Sequence, residues 1–200
     1  MRRNDREVTD IKQIYDILTR CDTIALGMNG GDAPYIIPMT FACALEGAAG
    51  NDLGAPANNL GAAGNDLGAP ASNNLGAAAN DLGAAANDLG AAAPKIAIYF
   101  HSAKGGRKWD ILNQNPNVCV EGHIYYKVVQ EGNSVTAKYE SVIGTGKAQM
   151  VTDHQEKVDA FKQMFAQYKQ SGFPAESCKG LQNCEVFKVI LDEVSGKHNL

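Results

Sequence analysis

The segment Tyr99-Phe100-His101-Ser102-Ala103-Lys104-Gly105-Gly106-Arg107-Lys108-Trp109 gathers the residue types in this chain best suited to chemistry. An apolar strand runs into a glycine-containing loop that carries a hydroxyl and three cations, and a helix is expected directly after it. The free N–H groups of a helix start, together with Arg and Lys, suit a phosphate. Arg107 offers a planar fork for two phosphate oxygens, while Lys104 or Lys108 supplies a point charge. A solvated basic turn would have the same composition, so the residues alone leave both readings open. No Gly-x-x-x-x-Gly-Lys-Ser/Thr loop occurs. Gly144-Thr145-Gly146-Lys147 lacks a third glycine and a following helix, and reads as strand geometry.

Other reactive side chains point less clearly to chemistry. His123, His154 and His198 have no paired ligand or nucleophile in sequence and are expected at the surface. The five cysteines are an odd number in a chain of this size, which fits reduced thiols and a cytoplasmic setting. Cys178 and Cys184 stand six apart, a spacing that matches no common zinc site, so no metal is expected. Cys43 and Cys119 lie in apolar strands and read as buried small hydrophobes. Trp109, with Ile111 and Leu112, is expected to pack its helix on the body of the domain.

The cationic loop must be held by the elements around it. Val8 to Arg20 is an amphipathic helix with Ile11, Ile14, Tyr15 and Leu18 on one face and Asp10 as N-cap. Thr23 to Met28 and Tyr35 to Leu45 are strands around the turn signal Asn29-Gly30-Gly31-Asp32. Lys95 to His101 is a third strand, leading to a short helix, Trp109 to Asn113. Val118 to Val129 and Ser134 to Ile143 form a long hairpin across Glu131-Gly132-Asn133. Gly144 and Gly146 mark a bulge before Lys147 to Val151. Asp153 with Glu156 caps a helix running to Tyr168, and Glu185 to Leu191 is the last strand. About six antiparallel strands with two or three helices make a mainly β fold, a small β-barrel with flanking helices.

Between these elements lies a different kind of sequence. Residues 47–93 comprise 17 Ala, 9 Gly, 8 Asn, 6 Leu, 4 Asp, 2 Pro and one Ser. Leu53, Leu60, Leu67, Leu75, Leu82 and Leu89 recur mostly seven apart, but one large apolar residue per unit is too little for a coiled coil. Burying one Leu per seven residues does not offset the ordering entropy of the other six, so a flexible insertion in a hairpin is expected. A short Ala-Leu helical arm or solenoid is the alternative. The expected organisation is one domain from 1–46 plus 94–200, interrupted by 47–93. The formal charge of −4 resides entirely in the four Asp of the tract, and the remainder is neutral. That balance argues against a nucleic-acid partner bound by bulk charge. No apolar run is long enough for a membrane helix, and no secretory signal opens the chain.

Five segments, in order, resemble the pyridoxamine-5′-phosphate oxidase-like flavin-binding split barrels, and within them the nitroimidazole-resistance reductase group. They are Met1 to Val8, Tyr35-Ile36-Ile37-Pro38-Met39-Thr40-Phe41, Tyr99 to Ala103 leading to Gly106-Arg107-Lys108, Asn115-Pro116-Asn117-Val118-Cys119, and Tyr139 to Gly146. The resemblance implies a six-stranded antiparallel split barrel that binds FMN, or FAD, as a homodimer with the flavin at the subunit interface. On this resemblance Pro38, Met39 and Thr40 border the flavin ring, largely through backbone groups. His101 and Ser102 lie near the ribityl-phosphate side, Gly106, Arg107 and Lys108 hold the phosphate, and Ser141 and Val142 line the ring or the dimer seam. His101 is the candidate catalytic residue, a neutral imidazole able to relay a proton; orienting the phosphate loop is its other reading. The implied activity is electron transfer from NAD(P)H through the flavin to a small acceptor such as a nitro-aromatic. A flavin-nucleotide carrier without turnover and a haem-binding relative are the alternatives.

Overall fold

The computed structural model describes residues 4–47, 93–170 and 172–200. The expectations for the Ala/Gly/Asn tract, and the first residues of the N-terminal segment, therefore fall outside the described residues. Helix α1 spans Ile11–Arg20, with Asp10 accepting a hydrogen bond from the Gln13 N–H at 2.8 Å and Ile14, Ile17 and Leu18 buried. It starts later than its sequence pattern suggested because Glu7–Val8 forms a short strand, β1, that pairs antiparallel with the C-terminal strand.

Strand β2, Ile24–Met28, buries Ile24, Leu26 and Met28, the alternation expected of a half-buried strand. The run expected as one strand from Tyr35 to Leu45 is two: β3, Tyr35–Met39, and β4, Ala42–Glu46. Pro38 cannot donate to a ladder, which confines β3 to an edge. The fully buried Phe41 plugs the interior between the two, its N–H donating to the Tyr168 hydroxyl at 3.1 Å. The remaining elements are β5, Lys95–Ala103; α2, Arg107–Gln114; β6, Asn117–Glu131; β7, Ser134–Met150; α3, His154–Gln167; α4, Lys179–Asn183; and β8, Cys184–Asn199. Asp153 caps α3, accepting from the Glu156 N–H at 2.7 Å.

The strands form one antiparallel sheet in the order β3-β2-β6-β7-β8-β5-β4, with β1 on β8. It has eight strands rather than the expected six, because β1 pairs and the second strand divides. Among the described residues the sheet does not close by hydrogen bonds. Its two end strands are nevertheless consecutive in the chain, joined by Thr40-Phe41 alone. Such a link spans about 11 Å at most, so the sheet has to curl until its ends meet. The product is a mainly β split barrel with flanking helices.

Side-chain alternation along β5 builds two apolar layers. Ile96, Ile98 and Phe100 enter the barrel interior with Leu26, Val120, Val142 and the buried face of α1. Ala97 and Tyr99 face α3, joining Ala42, Ala44, Val158 and Phe161 in a second cluster. At Gly146 a β-carbon would stand 2.3 Å from the Ile190 carbonyl, and the β7–β8 register shifts between Thr145 and Gly146, so this glycine marks the expected bulge. Cys43 is buried as expected. Cys119 is exposed instead, because Val118 and Val120 take the interior and the period of two turns it outward. Trp109 packs edge-on against Phe187, with ring centroids 5.7 Å apart, which fixes α2 to the barrel.

Candidate functional site

Strand β5 ends at Ala103, and Lys104-Gly105-Gly106 turns the chain into α2. Gly106 is the N-cap with φ 87°, a conformation that favours glycine, and a β-carbon there would meet nothing within 4 Å. Among the described residues no side chain caps this helix. Its first intrahelical bond runs from the Asp110 N–H to the Gly106 carbonyl at 3.0 Å, which leaves the N–H groups of the first turn directed outward. An uncapped, glycine-opened helix start followed at once by Arg107 and Lys108 can receive an anion.

The three cations of the loop have different fates. Lys104 lies 3.6 Å from Glu185 Oε1, a carboxylate it shares with Lys157 at 2.8 Å. It is therefore not the free point charge that the sequence allowed. Arg107 places its guanidinium 4.4 Å from the centroid of the Tyr35 ring. Lys108 reaches inward, its ammonium donating to Met39 Sδ at 3.4 Å and standing 5.9 Å from the Phe100 ring. Among the described residues neither Arg107 nor Lys108 has a carboxylate partner. Burial holds the Lys108 ammonium below its ordinary lysine range, with nearby Cys184 pulling weakly the other way. An unneutralised, half-buried ammonium is unfavourable until an anion joins it.

Contacts of Arg107 and Lys108 bring β3 to the loop after β5, although the two strands stand far apart in the hydrogen-bonded order. Met39 thus joins Gly106, Arg107 and Lys108, while Pro38 and Thr40 are exposed beside it. Ser102 is buried, its hydroxyl donating to the Ala103 carbonyl at 3.1 Å. His101 turns to the α3 side, its ring centroid 5.7 Å from that of Phe161. Its Nδ1 is buried and has no hydrogen-bond partner among the described residues. Burial first, and the Lys108 charge second, push its pKa down, so the imidazole is neutral near pH 7. Ser141 and Val142 lie elsewhere. Val142 pairs with Gly196 and His101 with Val186, about ten residues apart on β8, which is roughly 30 Å of strand. The Val142 side chain is sealed in the core, so within one chain these two residues do not join the cation cluster.

Sequence reasoning passed over Tyr35, which holds Arg107. The usable signal was the alternation of β3, which puts Tyr35, Ile37 and Met39 on one face. Nothing local marks Glu185 as the partner of Lys104.

The split barrel thus has an uncapped helix start and, among the described residues, two cations without a carboxylate partner beside its open seam, an arrangement chemically able to receive an anion. The family described as pyridoxamine 5′-phosphate oxidase matches residues 91–198, more than half of the chain, and the chain belongs to that family. Among solved structures it is similar to a candidate 5-nitroimidazole antibiotic resistance protein from Bacteroides thetaiotaomicron, at 22% identity and TM-score 0.62, covering 96% of this chain and 85% of that one. It is also similar to an FAD and heme binding protein from Mycobacterium smegmatis, at 13% identity and TM-score 0.60 over 97% and 73% of the two chains. A flavocytochrome from Azotobacter vinelandii aligns at 13% identity and TM-score 0.59 over 100% and 72%. These likenesses carry the fold. No curated protein matches the chain. Among the described residues no helix is long and apolar enough to cross a membrane.

Proposed function

We propose that the chain is a flavin-binding split-barrel protein that works as an FMN-dependent reductase, passing electrons from NAD(P)H to a small acceptor of the nitro-aromatic kind. The observation that carries this reading is the pair of unneutralised cations, Arg107 and Lys108, at the open start of α2. Their chemistry fits the terminal phosphate of FMN: a guanidinium fork, a desolvated ammonium and free helix N–H groups. FAD has the same attachment chemistry through its diphosphate, and solved relatives described as FAD-binding favour it as the second cofactor. A bound flavin would supply the two-electron chemistry between nicotinamide and acceptor. The protein's part is to hold the phosphate through Gly106, Arg107 and Lys108. Exposed Pro38 and Thr40 can border the ring through backbone groups. His101, neutral at pH 7, has an unpartnered Nδ1 to hold or pass a proton. A homodimer belongs to this reading, and exposed Ile36 and Ile143 on the outer face of the sheet give it an apolar contact surface.

Titration of apo-protein with FMN and with riboflavin, which lacks the phosphate, tests the reading. Arg107→Gln and Lys108→Gln should each weaken FMN by about tenfold to a hundredfold, the value of a charge-assisted hydrogen bond, and riboflavin little. Equal losses for both ligands would count against the phosphate assignment. Wild-type protein that takes up neither flavin sinks the cofactor reading. Anaerobic mixing of the loaded protein with NADH or NADPH then separates reductase from carrier, since only a reductase bleaches the flavin absorbance on a catalytic timescale.

A further inference from the structure

Arginine and lysine side chains that reach across this molecule usually end on carboxylates. Arg20 ends on Glu140, Lys157 on Glu185, Lys188 on Glu156, and Lys138 on Glu131. Arg107 and Lys108 break that habit together. Each is held by a neutral, polarisable group on the same face of β3: the Tyr35 ring under Arg107, and the Met39 thioether under Lys108. Residues i and i+4 of a strand share a face about 13 Å apart. Consecutive helix-start residues thus fan out to two different anchors.

We propose that Tyr35 is a positioning residue for anion binding, which fixes the Arg107 guanidinium through its ring face and leaves the positive charge unspent for a phosphate. The proposal rests on the flavin-phosphate reading for the identity of the ligand, though not for the geometry. A carboxylate at the same place would hold Arg107 more firmly but would repel the anion. A ring attracts the cation through its quadrupole and adds no net charge. A guanidinium held by a ring face is not neutralised, and its N–H groups remain available to an anion. Tyr35 itself is half-buried on an edge strand and packs against the barrel core. Its register partner is Met28 at the end of β2, so the anchor is supported by the sheet rather than by a loop.

The test compares FMN with riboflavin affinity in apo-protein, using the ratio of the two as the readout. Y35F keeps the ring and should keep the ratio within about twofold of wild type. Y35L removes the ring and should lower the ratio roughly threefold to tenfold, the range of an exposed to half-buried cation–π contact. In an R107Q background Y35L should change the ratio no further, because the residue through which Tyr35 acts is gone. If Y35L does not fold, Tyr35→Thr, a good strand former without a ring, takes its place in each comparison. Three results overturn the proposal. One is an equal loss for both flavins, which is what a purely structural role or a ring contact gives. A second is a Y35F as impaired as Y35L. The third is a further fall in the ratio when Y35L is added to R107Q. Should wild type bind neither flavin, the cofactor reading fails separately, and thermal shift with inorganic pyrophosphate replaces the titration. Stabilisation of wild type and Y35F but not of Y35L then supports the proposal, and equal responses of all three refute it.

Discussion

Glu140 is the most deeply buried charge among the described residues and the best place to test how this barrel is held together. Its carboxylate accepts two bonds from Arg20, Nη1 to Oε2 at 2.6 Å and Nη2 to Oε1 at 3.0 Å, and a third from the Tyr126 hydroxyl. The β6–β7 register skips Tyr126, and this bulge brings its hydroxyl to Glu140. Three elements meet there: the end of α1, β6 and β7. Glu140→Gln keeps the shape and removes the charge. Breaking a fully buried pair by deleting one partner costs about 3–5 kcal/mol. Here the Arg20 side chain retains 28% exposure and a second partner in Asp16 at 3.0 Å, so the expected loss is nearer ~2–3 kcal/mol. For a chain of this size that is about 4–12 °C in Tm.

Urea unfolding with a constant slope and calorimetry both read this loss. Arg20→Met with Glu140→Leu should cost less than Glu140→Gln alone, because no charge is left stranded. Acid adds a second readout. Hydrogen bonds from Arg20 first, and from Tyr126, hold the Glu140 carboxyl below the ordinary carboxylate value. The stabilisation is therefore complete above about pH 5, where the unfolded carboxylate is also ionised, and is lost as pH falls through the depressed folded value. The difference between wild type and E140Q should shrink over that interval and nowhere above it. A variant within ~0.5 kcal/mol of wild type at pH 7, or a double variant worse than the single, would refute the reasoning.

Three further outcomes are expected. Tyr168 accepts from the buried Phe41 N–H and donates to the Asp22 carbonyl at 2.9 Å, so Tyr168→Phe should cost about 1–3 kcal/mol in urea unfolding by leaving that N–H unpaired. Lys108→Gln should raise the pKa of His101, since the Lys108 charge is one of the two causes that depress it; an NMR titration that finds it unmoved or lower contradicts the assignment. Deleting 48–92, so that Gly47 joins Ala93, should keep the barrel's circular dichroism and leave Tm within a few degrees, because the β4–β5 ladder is already complete at Glu46↔Lys95. A collapsed spectrum would show that the tract supports the sheet.

Local signals made much of this fold legible. Asp10 and Asp153 stand where caps belong, Gly132-Asn133 turns the long hairpin, and the Ile- and aromatic-rich run of β5 marks a strand. What stayed hidden depended on distant partners. Tyr35 to Leu45 reads as one apolar strand, and only the curl of the whole sheet assigns its halves to opposite ends. The last strand runs to Asn199 although Asp192, Glu193, Lys197 and His198 look like a polar tail; pairing with β7 and β1 carries it on. In the site, the loop's composition was visible but the division of labour was not. Glu185, far along the chain, takes Lys104 out of play, while Arg107 and Lys108 have no carboxylate partner among the described residues. Cys119 was legible after all, since buried valines on either side dictate an outward thiol.

The geometry of the seam explains why candidate residues gather where they do. β3 pairs only with β2 and β4 only with β5, so among the described residues each has one edge without a strand partner. An unpaired edge in a protein invites another strand, and a proline on it reduces that risk. Pro38 lies on the edge strand at the seam, in register with Ala25 of β2, and has no N–H to offer an incoming strand. Met39 and Thr40 follow it into the link to Phe41, and Arg107 and Lys108 approach the same strand from α2. One opening thus combines backbone groups free of ladder bonds with charge free of carboxylates. Closing the barrel with a β3–β4 ladder would use up the first, and an acidic residue at Tyr35 or Met39 would use up the second. On the proposed phosphate reading the incomplete sheet is part of the site, and substitutions that favour a β3–β4 ladder should raise Tm while weakening FMN in the apo-protein titration.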